Sequence, residues 1–344
     1  MYKFDEINQV HLELTDRCNA ACSMCPRNIR GGIENPQLPN TELSLSQIKQ
    51  IFYPLFLTQL KRILVCGNYG DPTLASDTLD IFRYFLSINP NLEIIMHTNG
   101  GARNAKWWKT LASILNNKSR VVFNIDGLED TNHIYRKNTV WSRIINNAKS
   151  FISAGGLADW NFLVFQHNEH QVELARTLSD TIGFKTFQIK KSFRFIVPGV
   201  GKKINQFISS SGNIIQPPTN TSYQHVLLKI DNTSVYDKHT LKTTEIQCKV
   251  KKEKSIYISA EGIVQPCCWM ANQMYTWHNK DPQVWKNINA VGKDNISALH
   301  RDIRGIIEDI YFKKIIPENW DNSKLDICSI TCGVNISGVD KQFI

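Results

Sequence analysis

Cys18, Cys22 and Cys25 lie within eight residues, in the run Thr15-Asp16-Arg17-Cys18-Asn19-Ala20-Ala21-Cys22-Ser23-Met24-Cys25-Pro26-Arg27. Three thiolates so spaced can hold three irons of a cubane [4Fe–4S] cluster and leave the fourth iron without a protein ligand. A small molecule bound at that iron can receive an electron. A disulfide framework does not suit the chain. Nothing in it reads as a signal peptide, and nine cysteines in 344 residues are too sparse for a small secreted scaffold. Structural zinc pairs Cys-x2-4-Cys with a second such pair, which the triplet lacks.

Five further cysteines lie late in the chain. Cys248 is followed by thirteen residues, Gly262, four residues and Cys267; Cys268 adjoins it, and Cys328 and Cys332 come much later. The segment Ile256 to Cys267 reads as a β-hairpin delivering a cysteine. Trp269, Met270, Trp277, His278 and Trp285 follow and either line a substrate cavity or pack. Arg194, Lys202 and Lys203 either bind an anionic substrate or are solvated. Cys66 reads as a buried apolar residue within a strand.

The elements that must position these residues alternate through the first half. Strands are expected at Val10–Leu14, Arg62–Cys66, Leu92–Met96, Arg120–Asp126, Phe162–Phe165 and Thr186–Ile189. Helices are expected after the Ser44-Leu45-Ser46-Gln47 capping box and at Thr78–Leu86, Trp107–Leu115, Trp141–Ala154 and Val172–Ile182. Six βα units imply an α/β fold with a parallel sheet, helices outside, and a site at the C-terminal strand ends. The cysteine loop follows the first strand and so falls on that side. From about Pro198 glycine, serine and proline mark a loop-rich connector.

The chain is 42% hydrophobic, as globular proteins are, and has no apolar run long enough to span a membrane. Its thiols imply a reducing, cytoplasmic setting. A net charge of +9 suits an anionic partner: a phosphorylated substrate, nucleic acid or an acidic peptide. Lys249, Lys251, Lys252 and Lys254 form the densest basic run, read either as a solvated loop or as an attractor for an electron donor.

The cysteine triplet resembles the signature of the radical S-adenosylmethionine (SAM) enzymes. The resemblance implies a partial (β/α)6 barrel, in agreement with the alternation above, and an open iron that chelates the amino and carboxylate groups of SAM. Gly67-Asn68-Tyr69-Gly70-Asp71-Pro72 resembles the family's Gly-Gly-Glu-Pro motif, with Tyr69 for a glycine and Asp71 for the glutamate. By that likeness Gly67, Tyr69, Gly70 and Asp71 receive the SAM ammonium. Met24 then lies against adenine. Asn124 and Asp126 contact ribose or carboxylate, or are turn residues. Arg136 clamps the carboxylate, a task a bidentate guanidinium suits. Asn168 is a further candidate, and His97, His133 and His167 receive no role.

The later cysteines resemble the C-terminal auxiliary-cluster module of SPASM and twitch radical SAM enzymes. Five cysteines are too few for the full SPASM form and suit the small α+β twitch form. Cys248, Cys267, Cys328 and Cys332 are then the ligands of one auxiliary [4Fe–4S] cluster, with Cys268 left over; zinc on the same four thiolates is the alternative. The expected division is a radical SAM core at 1–197, a connector at 198–244 and the auxiliary module at 245–344.

The resemblance implies that an electron from a flavodoxin or ferredoxin cleaves SAM to a 5′-deoxyadenosyl radical, which abstracts a substrate hydrogen. The substrate is a small molecule or a peptide. The expected reaction is a dehydrogenase-type oxidation with the auxiliary cluster as electron acceptor. A radical epimerase in which Cys268 returns the hydrogen stays open, as does a peptide-modifying maturase, although the first strand begins within about ten residues of Met1 and leaves no room for a peptide-recognition extension. The altered glycine motif keeps a non-catalytic Fe–S or zinc protein as the remaining reading.

Overall fold

The structure, a computed structural model, describes residues 1–195, 203–229, 238–276, 283–321 and 324–334. Six parallel strands follow one another across a single sheet: β1 (Gln9–Leu12), β2 (Arg62–Val65), β3 (Glu93–Thr98), β4 (Arg120–Asn124), β5 (Ala158–Val164) and β6 (Thr186–Lys191). Between them lie α1 (Leu45–Ile51), α2 (Pro54–Gln59), α3 (Thr78–Ile88), α4 (Ala105–Ile114), α5 (Asn132–Tyr135) and α6 (Trp141–Ser153), with α7 (Val172–Ile182) before β6. The expected α/β alternation is present, in the manner of a partial barrel.

Side-chain parity divides the sheet. Val10, Leu12, Ile63, Val65, Ile94, Met96, Phe123, Trp160 and Phe162 face the helices and are fully buried. His11, Leu64, Ile95, His97 and Asn124 alternate with them on the inner face. At the N-terminal strand ends that face is closed by an ion-pair ladder: Arg62 to Glu93 at 2.5 Å, Glu93 to Arg120 at 3.7 Å, and Arg120 to Asp159 at 3.6 Å.

Several boundaries differ from the sequence expectation. The Ser44/Gln47 capping box forms, with Ser44 accepting from the Gln47 N–H and Gln47 accepting from the Ser44 N–H. β1 stops at Leu12 because the Leu14 carbonyl leaves the ladder to accept from Leu43. β5 starts four residues earlier than its apolar run, since Asp159 and Asn161 point to the inner face and interrupt the hydrophobic signal.

Two short strands, β7 (Phe207–Ile208) and β8 (Ile214–Ile215), pair within the connector. Then come α8 (Val226–Lys229), α9 (Lys238–Thr243), α10 (Lys249–Glu253), β9 (Ser255–Ile258), β10 (Val264–Gln265), α11 (Cys268–Ala271), α12 (Gln283–Val291), α13 (Ile303–Glu308), α14 (Ile316–Asp321) and α15 (Asp326–Cys332). The β9–β10 hairpin extends the main sheet: β9 runs parallel to β1 and pairs with it residue for residue from Gln9↔Ser255 to Leu12↔Ile258. β1 therefore has no open edge, and Ile256 and Ile258 carry its apolar face onward.

Candidate functional site

The loop after β1 holds Cys18, Cys22 and Cys25, all free and half-buried. Its backbone is pinned to the segment after β4, with Ala21 N–H donating to Lys137 and Ser23 N–H to Tyr135. The Cys18 sulfur accepts from the Ala20 N–H at 3.4 Å and from Asn99 Nδ2 at 3.6 Å. Burial pushes the Cys18 thiol up; it also raises Cys22 to about 11, against the pull of Arg136. Bound iron reverses that balance by favouring thiolate. Three free thiols in one loop, with N–H donors on a sulfur, fit the [4Fe–4S] group implied by the spacing. Among the described residues no three His, Cys, Asp or Glu converge as a single-ion site requires; in a cubane each cysteine holds a different iron.

The turn after β2 approaches this loop closely. A Cβ on Gly70 would lie 1.7 Å from the Thr15 carbonyl oxygen, and one on Gly67 would lie 2.3 Å from the Gly70 carbonyl oxygen. Asp71, expected to meet the SAM ammonium, also braces the turns around it. Its buried carboxylate accepts from Thr73 Oγ1 (2.6 Å), Thr98 Oγ1 (3.0 Å), Asn99 N–H (2.8 Å) and Asn99 Nδ2 (2.8 Å). It ties the turn after β3 to the turn after β2.

The Tyr69 side chain turns away from the cysteine loop. Its hydroxyl donates to the Asn272 carbonyl (2.9 Å) and accepts from Tyr275 N–H (3.3 Å), so the ring reaches into the C-terminal segment. Asn68 Nδ2 donates to the Cys268 carbonyl (2.9 Å) beside it. This explains why a tyrosine stands where the motif has glycine.

Glu13 escaped the sequence reading. Its buried Oε1 accepts from Tyr69 N–H (2.8 Å) and Gly70 N–H (3.0 Å), and its Oε2 from the Tyr257 hydroxyl on β9. Burial pushes Glu13 up to about 7 despite those bonds. The available signal was a lone carboxylate at inner-face parity in Val10-His11-Leu12-Glu13-Leu14.

Asp126 and Arg136 form a buried pair, Nε to Oδ2 at 2.7 Å, and Asp126 Oδ1 accepts from Leu163 N–H at 2.7 Å. Asp126 thus holds Arg136 beside Cys22. Burial disfavours the Arg136 cation, yet Asp126 and Cys22 outweigh it and raise its pKa. Among the described residues its terminal guanidinium nitrogens carry no hydrogen bond. Asn124 braces neighbouring strands, donating to the Thr98 carbonyl at 3.2 Å and accepting from Asn161 at 3.4 Å. Asn168 Nδ2 donates to the Asp126 carbonyl at 2.8 Å.

Met24 and Cys22 pack against a small apolar cluster of Tyr135, Phe165, Phe195 and Ile215, so the β7–β8 hairpin covers the cysteine loop. Arg194, a candidate for anionic substrate, instead donates to the Met24 carbonyl (3.1 Å) and the Tyr135 hydroxyl (2.9 Å). Lys203 donates to the Leu228 carbonyl at 2.9 Å. Lys202, Trp277 and His278 lie outside the described residues. Burial lowers His97 to about 3 and His167 to about 4, and His167 stacks on Phe165 with both ring nitrogens buried and without a partner among the described residues. Cys66 is half-buried rather than fully buried, and burial raises its thiol to about 12.

Cys248, Cys267, Cys328 and Cys332 line one cavity together with Ile246, Val250, Met270 and Ile327. Cys248 starts α10. Cys267 caps α11 and accepts from the Met270 N–H at 3.5 Å. Cys328 and Cys332 lie one turn apart on α15. The Cys248 thiol donates to Cys332, which raises Cys248 and, with the Lys249 N–H and ammonium, lowers Cys332 to about 7 against burial. Burial raises Cys267 to about 12. Four free thiols in an apolar shell fit a second cluster. Cys268 does not line this cavity; it packs on Tyr257 and Ala271 at 7% exposure. Trp269 and Met270 line the thiol cavity rather than a separate substrate cavity, and Trp285 donates to the Met274 carbonyl at 2.8 Å.

A family model described as the radical SAM superfamily matches residues 12–180, from the end of β1 into α7. The chain carries a radical SAM domain. That span takes in the cysteine triplet, the turn after β2 and the Asp126–Arg136 pair. Solved structures with a similar fold include the Streptococcus suis protein SuiB bound to precursor peptide SuiA, with a TM-score of 0.56 and 12% identity over 90% of this chain and 66% of that one. Native anSMEcpe with bound AdoMet gives 0.54 and 13% identity over 94% of this chain and 89% of that one. The same protein with AdoMet and Cp18Cys peptide gives 0.51 and 13% identity over 94% and 89%. The chain thus spans just under two thirds of SuiB, and the likeness is one of fold. No curated protein matches the sequence. Among the described residues no helix is long and apolar enough to cross a membrane.

Proposed function

We propose that the chain is a radical SAM enzyme that oxidises its substrate by two electrons, with Cys18, Cys22 and Cys25 holding one [4Fe–4S] cluster and Cys248, Cys267, Cys328 and Cys332 an auxiliary one. The first group would supply the electron that cleaves SAM to a 5′-deoxyadenosyl radical, and the second would accept the electron left on the substrate after hydrogen loss. The residues do the rest. Arg136, oriented by Asp126, offers its free guanidinium edge to the SAM carboxylate. Met24 and the cluster around Phe165 give the adenine an apolar bed. Glu13 and Asp71 fix the turns after β2 and β3, and the β7–β8 hairpin excludes water. An acidic flavodoxin or ferredoxin is the proposed electron donor. A small molecule or a peptide is the proposed substrate class, since SuiB and anSMEcpe were solved with peptides.

The observation that carries the oxidative reading is the second thiol set. Four cysteines from three separate segments line one apolar cavity, and the segment that follows Cys267 is hydrogen-bonded to the turn after β2 by Asn68, to the Cys268 carbonyl, and by Tyr69, to the Asn272 carbonyl. The epimerase reading needs a thiol facing substrate, and Cys268 is buried against Tyr257. The test is iron and sulfide content of the anaerobically reconstituted protein beside Cys18→Ala/Cys22→Ala/Cys25→Ala. About eight irons falling to about four support one cluster per thiol set. About four irons falling to none, with one zinc retained, would remove the auxiliary acceptor and the oxidative reading with it.

A further inference from the structure

Two half-buried tryptophans, Trp269 and Trp320, form part of the wall of the four-cysteine cavity. Each carries a lysine of α10 over its ring. Lys249 Nζ lies 5.8 Å from the Trp269 ring centre, and Lys251 Nζ lies 5.5 Å from that of Trp320. The helix that presents these lysines begins directly after Cys248. Lys252 is exposed on the same helix and Lys254 follows its end. Lys313, exposed on the turn Tyr311–Ile315, joins them: Lys313, Lys251 and Lys254 all act, after burial, to lower the Met1 amine. The acidic groups nearby are few. Glu6 is paired with Lys254 at 2.7 Å, and the span 249–254 holds four lysines against Glu253.

The rim of the first thiol loop differs. Its arginines are in part ion-paired: Arg17 with Glu42 at 3.5 Å, Arg27 with Glu34 at 3.2 Å, Arg136 with Asp126 at 2.7 Å, while Lys137 and Arg194 bond to the carbonyls of Gly31 and Met24. Over the second thiol set, Lys249 and Lys251 stand on two aromatic rings of the cavity wall and Lys252 is exposed beside them, with no ion pair to these three among the described residues. A surface of one sign steers a partner of the other sign into contact.

We propose that the α10 face, with Lys251, Lys252, Lys254 and Lys313, docks an acidic one-electron carrier protein in its oxidised form, which collects the electron delivered to the cavity. This rests on the auxiliary-cluster reading above. One electron leaves the group in the cavity and one enters the carrier; no bond forms or breaks, and no proton is needed. The direction differs from that of a donor to the first cluster, because the α10 lysines stand over the wall of the other cavity.

The test uses the full-length, reconstituted protein and an acidic flavodoxin as probe. Affinity for oxidised flavodoxin is measured by calorimetry at low and at physiological salt, and the rate at which it reoxidises the dithionite-reduced auxiliary signal is followed by electron paramagnetic resonance. Wild type should bind with an affinity that falls with salt. Lys251→Glu/Lys252→Glu should weaken binding and slow reoxidation about tenfold at low salt. The control Lys106→Glu/Lys109→Glu, on α4, should leave both unchanged. Unaltered binding and rate in Lys251→Glu/Lys252→Glu, with full iron content, would overturn the docking face alone. Wild type with about four irons and no auxiliary signal would overturn the cavity reading and the docking proposal together, so the two failures are read by different measurements.

Discussion

The carboxylate of Glu13 accepts three hydrogen bonds and is still pushed up to about 7, because burial outweighs them. A folded-state value above the unfolded 4.5 means that the folded protein binds the extra proton. That contribution is complete below pH 4.5 and is lost as pH rises through 7, by up to about 3 kcal/mol. Glu13→Gln keeps the shape and an acceptor for the Tyr69 and Gly70 N–H groups. Its thermal midpoint should therefore be nearly flat from pH 5 to 8, where wild type declines. An equal decline in the variant would assign the titration to another group. Asp71 was legible in the sequence as a motif position but not as a brace, because the motif says which residue stands there and not which donors surround it. Glu13 was illegible for the converse reason: it belongs to no spacing pattern, and its donors come from β9 and the turn after β2.

At the scale of elements, the turn after β2 and α11 act as one piece. Asn68 and Tyr69 bond to the carbonyls of Cys268 and Asn272, so the segment that faces the first thiol loop also holds the segment that begins at Cys267. Tyr69→Phe removes a hydroxyl that both donates and accepts, leaving the Asn272 carbonyl and Tyr275 N–H without it. Urea unfolding should show a loss of about 1–2 kcal/mol, with the iron content of the N-terminal triplet unchanged. A loss of that iron instead would mean that Tyr69 supports the first loop directly. The α1 capping box and the β9–β10 hairpin were legible because caps and hairpins are local patterns. The start of β5 was not, since Asp159 and Asn161 find partners on β4 and β6, outside the window a periodicity can see.

At the scale of the whole molecule, the sheet joins the two ends of the chain. β9 pairs with β1 along its whole length, and Tyr2 donates to the Ser255 carbonyl at 2.5 Å. A fragment of residues 1–244 should therefore expose the β1 edge and fail to melt cooperatively by circular dichroism. A sharp transition in that fragment would mean that the core stands without the hairpin, as an independent module at 245–344 requires. The sequence by itself determined the thiol triplet, the order of six βα units and the hairpin before Cys267, because ligand spacing and hydrophobic period are local properties of the chain. The tertiary structure decided the rest: that β9 completes the sheet beside β1, that Cys248 and Cys267 meet Cys328 and Cys332 in one cavity, and which protein groups the side chains of Asp71, Tyr69 and Arg194 bond to. Those outcomes depend on where distant segments return to one another, and a buried polar group takes whichever partner that return supplies.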